Sequence, residues 1–227
     1  AKAHAIKTGC DVVLANDPDA DRSAVAEKSR ATGDWTNFTG DEIGTMLGHW
    51  LWQQKQLQDA EDTSSSTATK LPLAMFASTV SSKMLAEIAR VEGFHFEDTL
   101  TGFKWIGSRA AELNRSGKYR SIFCYEEAIG FCCGDVIFDK DGISALGVFA
   151  DLAMHVYCTK NMQLQDHMQS LYDKYGEFVS RNGYFFMNDP SVVAIIMDEM
   201  TRQGTFSRLL TEMTVGTYKV ESFRYLG

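Results

Sequence analysis

The sequence predicts an α/β protein, multi-domain, in which each domain is a mixed β-sheet layered with helices. Two observations carry this expectation. Short apolar runs of strand length alternate with longer amphipathic stretches. A polar stretch rich in Ser and Thr, residues 59–70, then divides the chain as a linker would. The 227 residues have room for one large or two smaller units. The 44% apolar and 23% charged content is that of an ordinary globular protein.

The elements follow in order. Residues 1–9 read as a helix tail stopped at Gly9, and "DVVLA" as a buried strand. "SAVAEK" is a second strand, with "ATGDW" as the turn after it. Thr39 and Glu42 form a capping box, after which Ile43, Met46, Leu47, Trp50 and Leu51 share one helical face. Beyond the linker "LPLAMFA" is a strand, and Val80, Met84, Leu85, Ile88 and Ala89 mark a helix ending at Gly93. "FHFEDTLTG" and "YRSIFCYE" are further strands around a helix stopped near Gly117. Ile143, Leu146, Gly147, Ala150, Ala153, Met154 and Tyr157 mark a long amphipathic helix, and residues 161–176 another. Asn182-Gly183 suggests a hairpin or domain junction, and Asp189-Pro190 opens a helix as cap and first turn. The last residues read as a strand with no partner. The expected domains are therefore 1–58, 71–180 and 181–227.

Composition excludes some functions. A net charge of −8 makes a poor general binder of nucleic acid or anionic membrane, so an anionic small substrate needs a few local cations. The first residues lack a signal-peptide core, and no uninterrupted apolar run reaches membrane-spanning length. Five cysteines, an odd number without any CxxC pair, signal neither a disulfide framework nor a zinc knuckle, and a cytoplasmic protein fits best. The chain begins on Ala and runs straight into helix-like sequence, as a fragment would.

Chemistry concentrates in three segments. In "NDPDADR" the acids Asp17, Asp19 and Asp21 alternate, and residues two apart on an extended chain project to one side. Pro18 holds Asp17 away from helix and keeps the loop open. Three crowded carboxylates repel one another, and a hard divalent cation such as Mg²⁺ relieves the repulsion. A solvated acidic turn is the simpler alternative. An EF-hand is excluded, because Arg22 and Lys28 stand where it needs Gly and Glu. A DxDxT phosphatase loop would need Thr at position 21. Arg22, directly behind the acids, suits a phosphate bridging metal and guanidinium. In "DTLTGFKWIG", Thr101-Gly102 lets backbone approach a ligand closely or simply caps a helix. In "FCYEEAIGFCCGDVIFDKDG", Glu126 ends a strand and can accept sugar hydroxyls, while Lys140 can meet a phosphate or pair with Asp139 or Asp141. Glu126 and Glu127 are neighbours on a strand and point apart, which disfavours a facing glycosidase pair.

Together "NDPDADR", "TLTGFKWIG" and "EEAIGFCC…DKDG" resemble the α-D-phosphohexomutase superfamily, nearest its eukaryotic phosphoglucomutase/phosphopentomutase branch with the glucose-1,6-bisphosphate synthase relative. The resemblance implies phosphohexomutase-type domains and Mg²⁺ held by Asp17, Asp19 and Asp21. It also implies substrate contacts at Arg22, Thr101, Gly102, Glu126 and Lys140, with Arg22 assisting beside the transferring phosphoryl. Ala128 stands where hexose-specific members carry Ser, which leaves strict glucose preference in doubt. The implied partners are sugar phosphates: ribose or deoxyribose 1-phosphate, glucose 1-phosphate and glucose 1,6-bisphosphate. The implied chemistry is double phosphoryl transfer through a phosphoserine. No TASHNP-like serine segment or RTSGTEP-like phosphate loop occurs here. The resemblance therefore places the phosphoserine upstream, and the chain alone is expected to be inactive. A bisphosphate synthase, or a non-catalytic isoform that binds sugar phosphate, is the alternative.

Overall fold

Antiparallel pairing frames the acidic loop in the computed structural model, which describes residues 1–61, 71–181, 183, 186–201, 214–215 and 218–219. Helix α1 (Lys2–Thr8) stops at Gly9, whose φ of 70° is the left-handed cap conformation. Strands β1 (Val12–Asn16), β2 (Ser23–Lys28) and β3 (Trp35–Asn37) follow as an antiparallel sheet in the order β1-β2-β3. This corrects the reading of β1 as a buried strand. It is an edge strand, mostly half-buried, and the acids lie in a hairpin loop with Asn16 opposite Ser23. A five-residue apolar run reads alike in either setting.

Helix α2 (Gly40–Glu61) opens on the expected capping box: Thr39 N–H donates to Glu42 Oε2 at 2.7 Å and Glu42 N–H to Thr39 Oγ1 at 3.2 Å. Ile43, Met46 and Leu47 are buried, Trp50 and Leu51 half-buried. The helix runs through residues 59–61 of the expected linker, and 62–70 lie outside the described residues.

The second sheet has parallel strands β4 (Leu73–Ser78), β5 (His95–Thr99) and β6 (Arg120–Glu126), with β7 (Gly130–Cys133) antiparallel to β6, in the order β5-β4-β6-β7. Helices α3 (Met84–Glu92) and α4 (Phe103–Arg115) make the crossovers. Alternation along the strands divides the interior. Met75, Ala77, Phe123 and Tyr125 face the larger core with α2 and α3, while Ala74, Phe76 and Cys124 face a smaller one with Phe103, Ile106 and Ala110 of α4. Val80, assigned to the α3 face from sequence, precedes that helix and is exposed.

Helix α5 (Gly142–Met154) continues into a π turn (His155–Thr159). The expected apolar stripe is wrong here: Ala145, Phe149, Leu152 and Val156 are buried, whereas Ile143 and Met154 are 68% and 63% exposed. Apolar residues line most of the helix, so periodicity could not choose its face. Residues Gly142–Thr159 are also long and apolar enough to cross a membrane by length and composition, although Asp151 interrupts the run, and Phe149, Leu152 and Val156 pack in the larger core.

Helix α6 (Leu164–Tyr175) starts on a Gln163–Asp166 capping box and stops at Gly176. Its N-terminus is held by Glu27 of β2. That buried carboxylate accepts Leu164 N–H at 2.6 Å, Gln165 N–H at 3.0 Å and the Tyr157 hydroxyl. The first compact unit accordingly spans Ala1–Ser180. The boundary expected after residue 58 falls inside α2, whose apolar face shares a core with β4 and β6.

The second unit, Arg181–Gly227, contains α7 (Pro190–Thr201), where Asp189 Oδ1 accepts Ser191 N–H at 2.9 Å. Strands β8 (Thr214–Val215) and β9 (Tyr218–Lys219) pair antiparallel, so the strand expected to be unpartnered has a partner. Asn182 of the expected turn lies outside the described residues.

Candidate functional site

Carboxylate oxygens of Asp17, Asp19 and Asp21 all lie within 4.8 Å of one another. The tight turn that gathers them has Ala20 at φ 60° and a hydrogen bond from Ala20 N–H to Asp17 C=O at 3.0 Å. Arg22 closes the loop. Its backbone N–H donates to Asp17 Oδ1 at 3.1 Å, and its Nε to Asp17 Oδ2 at 2.7 Å. Desolvation would raise the Asp17 carboxyl, but these contacts and the guanidinium charge hold it below the usual range.

A second cation reaches the acids from far along the chain. Lys140 Nζ stands 3.1 Å from Asp21 Oδ2 and 3.5 Å from Glu126 Oε1. Neither Asp139 nor Asp141 pairs with its ammonium; Asp139 Oδ1 instead accepts the Lys140 backbone N–H. Burial opposes the Lys140 charge, but Asp21 and Glu126 raise its pKa. Burial pushes the Glu126 carboxyl up, Lys140 works against this, and Glu127 and Asp21 add to it. Asp21, Lys140 and Glu126 thus form a continuous row of alternating charge.

Backbone contacts fix this juxtaposition. Arg22 bridges Gly130, Ser23 N–H donates to Ile129 C=O at 3.0 Å, and Gly142 N–H donates to Ala20 C=O at 3.0 Å. Asn16 Nδ2 donates to Arg22 C=O at 2.8 Å, and Ser23 Oγ to Gly142 C=O at 2.9 Å. A Cβ at Gly142 would lie 2.6 Å from Arg22 O, so only glycine fits this approach. Asn16, Ser23 and Gly142 were missed in the sequence; the signal for Asn16 and Ser23 was their place flanking the acidic run, and for Gly142 its place directly behind Lys140-Asp141.

Six expected site residues therefore come together: Asp17, Asp19, Asp21, Arg22, Glu126 and Lys140. Ala128 is exposed on the turn just after Glu126. Thr101 and Gly102 follow β5 at the C-terminal edge shared with Glu126. Among the described residues no hydrogen bond or ion pair joins them to the cluster. Gly102, at φ 109°, is the N-cap of α4 without a side-chain cap. Glu126 and Glu127 point apart, the first to Lys140 and the second to Ser78 and Ser81.

The acids suit a small hard cation. All three donors are carboxylate oxygens, and Asp21 Oδ1 is buried without a hydrogen bond, with Arg22 Nε 3.5 Å away. An oxygen left so is costly unless a cation or water meets it.

Comparison with known proteins agrees with this architecture. Residues 39–175 match the family described as phosphoglucomutase/phosphomannomutase, alpha/beta/alpha domain III. Human phosphopentomutase is 44% identical over 201 residues, covering 87% of this chain and 31% of that protein. Human glucose 1,6-bisphosphate synthase is 42% identical over 197 residues, covering 86% and 30%. The chain thus spans about a third of the length of these relatives. Among solved structures, the open form of parafusin, a phosphoglucomutase from Paramecium, has a TM-score of 0.60 at 19% identity, covering 91% of this chain and 32% of that one. A match over more than half of the chain, spanning both Glu126 and Lys140, establishes that it belongs to the phosphoglucomutase/phosphomannomutase family.

Proposed function

We propose that this chain supplies the metal loop and sugar-recognition turn of an Mg²⁺-dependent mutase. Such an enzyme interconverts sugar 1-phosphates with 5- or 6-phosphates through a phosphoserine and a sugar bisphosphate. One observation carries the reading: the three gathered carboxylates and Glu126 are linked by a single lysine, Lys140, across otherwise distant segments. Asp17, Asp19 and Asp21 would hold Mg²⁺. When bound, the ion neutralises charge on a transferring phosphoryl group. Arg22 offers a planar donor beside the acids, and Lys140 offers an ammonium that can leave Asp21 for a substrate phosphate. Glu126, at the C-terminal end of β6, accepts sugar hydroxyls and orients the ring.

Ala128 leaves a methyl group where a hydroxyl contact would favour hexose, so pentose phosphates are the proposed preference. Glucose 1,6-bisphosphate synthesis is the second reading, because a relative of that name is nearly as similar as the phosphopentomutase.

The test is a mutase assay on a full-length protein containing this chain, with ribose 1-phosphate and glucose 1-phosphate, with and without Mg²⁺. Conversion should require Mg²⁺ and favour the pentose. Asp19→Ala should lower kcat by roughly 10²-fold or more while the fold survives. Full activity in that variant would refute the metal assignment. Bisphosphate formation from an external phosphoryl donor, without mutase turnover, would favour the second reading.

A further inference from the structure

In an open sheet of parallel strands, ligands bind outside the carboxyl ends of the strands where the chain's connections reverse direction, which here lies between β4 and β6. Side chains of the protein itself fill that position. Glu127 Oε2 accepts the Ser78 hydroxyl at 2.7 Å and the Ser81 hydroxyl at 3.4 Å, and the two serine oxygens lie 2.7 Å apart. Both serines are buried, Ser78 completely. The carbonyl of Glu127 packs against Gly40 so closely that a Cβ there would lie 2.0 Å from its oxygen.

These contacts surround a strained turn. Glu126 pairs with Gly130, so residues 127–129 form a three-residue connection, and Ile129 takes φ 58°. A β-branched residue rarely adopts that conformation, and glycine is the usual occupant. It persists when its surroundings over-determine it. Here Ser23 N–H grips the Ile129 carbonyl from one side, while Ser78 and Ser81 grip Glu127 from the other. Anchoring Glu127 on the two serines fixes the turn directly after Glu126, the last residue of β6, whose carboxylate lies 3.5 Å from Lys140 Nζ.

We propose that Glu127, seated on Ser78 and Ser81, is a positioning residue that sets where Glu126 meets the sugar hydroxyls without touching substrate. The inference rests on the reading of Glu126 as a sugar ligand. Its consequence is selective: a displaced Glu126 weakens binding of the sugar but leaves binding of bare phosphate intact.

Ribose 5-phosphate and inorganic phosphate would each be titrated, with Mg²⁺ present, into the 227-residue chain and its Glu126→Ala, Glu127→Ala, Glu127→Gln and Ser78→Ala variants. Thermal melts would monitor the fold. Glu126→Ala and Glu127→Ala should each weaken ribose 5-phosphate about tenfold and leave inorganic phosphate unchanged. Glu127→Gln keeps an oxygen for the Ser78 hydroxyl and should stay within about threefold, with Ser78→Ala in between. Should Glu127→Ala fail to fold, Ser78→Ala decides in its place.

A folded Glu127→Ala that binds ribose 5-phosphate like wild type, beside a weakened Glu126→Ala, overturns the positioning role and leaves the site intact. Equal loss of both probes in Glu127→Ala also overturns it, because Glu127 then serves only the fold. Unchanged binding in Glu126→Ala, or a wild-type chain that binds neither probe, removes the sugar-ligand reading and the inference with it.

Discussion

Asp21 joins the two halves of the site, with one oxygen 3.1 Å from Lys140 and the other buried without a hydrogen bond. The acidic half was legible because three carboxylates so close in sequence call for a cation, although a tight turn with Ala20 at φ 60°, and not the expected extended alternation, gathers them. The partnership with Lys140 was not, because its sequence neighbours Asp139 and Asp141 offered a local pairing that tertiary packing overrides. Buried histidines were another blind spot. His49 on α2 and His167 on α6 lie 6.5 Å apart, and both ring nitrogens of His49 and Nδ1 of His167 lack hydrogen-bond partners. Burial, then the charges of His167, Lys174 and Lys160, lowers His49 to about 3. Burial, then Lys160 and His155, lowers His167 to about 4. Both values lie below the ordinary 6.5, so the unfolded chain takes up protons first. Their contribution to stability is complete above pH 6.5 and is lost as pH falls towards 4 and then 3. Melts at a series of pH values should show a drop below pH 6.5 that His49→Phe makes shallower. An identical pH profile in that variant would contradict the assignment.

Among the elements, α2 shows what a periodicity reading omits. The apolar stripe was legible, but Gly40, Gly44 and Gly48 also recur every fourth residue and form a second line along the helix. A Cβ at Gly44 would lie 2.5 Å from the Tyr125 ring, and one at Gly48 2.7 Å from Leu85. The glycines therefore let α2 approach β6 and α3 closely. Gly40→Ala should cost about 1–3 kcal/mol, since it meets the Glu127 backbone instead of a side chain that can swing away. Denaturant unfolding measures this, and a loss below 0.5 kcal/mol would mean the turn moves freely. The face of α5 was misread for the opposite reason, because too many of its residues are apolar to mark one side. Glu27 was read only as part of a strand, yet it receives two backbone N–H groups at the start of α6. Glu27→Ala should destabilise by roughly 1–3 kcal/mol through those unpaired donors. An unchanged unfolding midpoint would show that water replaces the carboxylate.

Across the first compact unit, the fold class and the order of elements were legible, and the meeting of the two sheets was not. Strand runs show where sheets form, but a bridge such as Arg22 to Gly130 depends on backbone approach between segments more than a hundred residues apart. That approach brings an acidic hairpin loop to the turn after Glu126, and the proposed function depends on it. Calorimetric titration of Mg²⁺ into the 227-residue chain tests it most directly, with Asp17→Asn and Asp21→Asn variants beside wild type. Wild type should bind one ion, each variant should lose at least about tenfold in affinity, and all three should melt as folded proteins. Equal Mg²⁺ binding in wild type and both variants, or none in wild type, would contradict the assignment of this loop as the metal site.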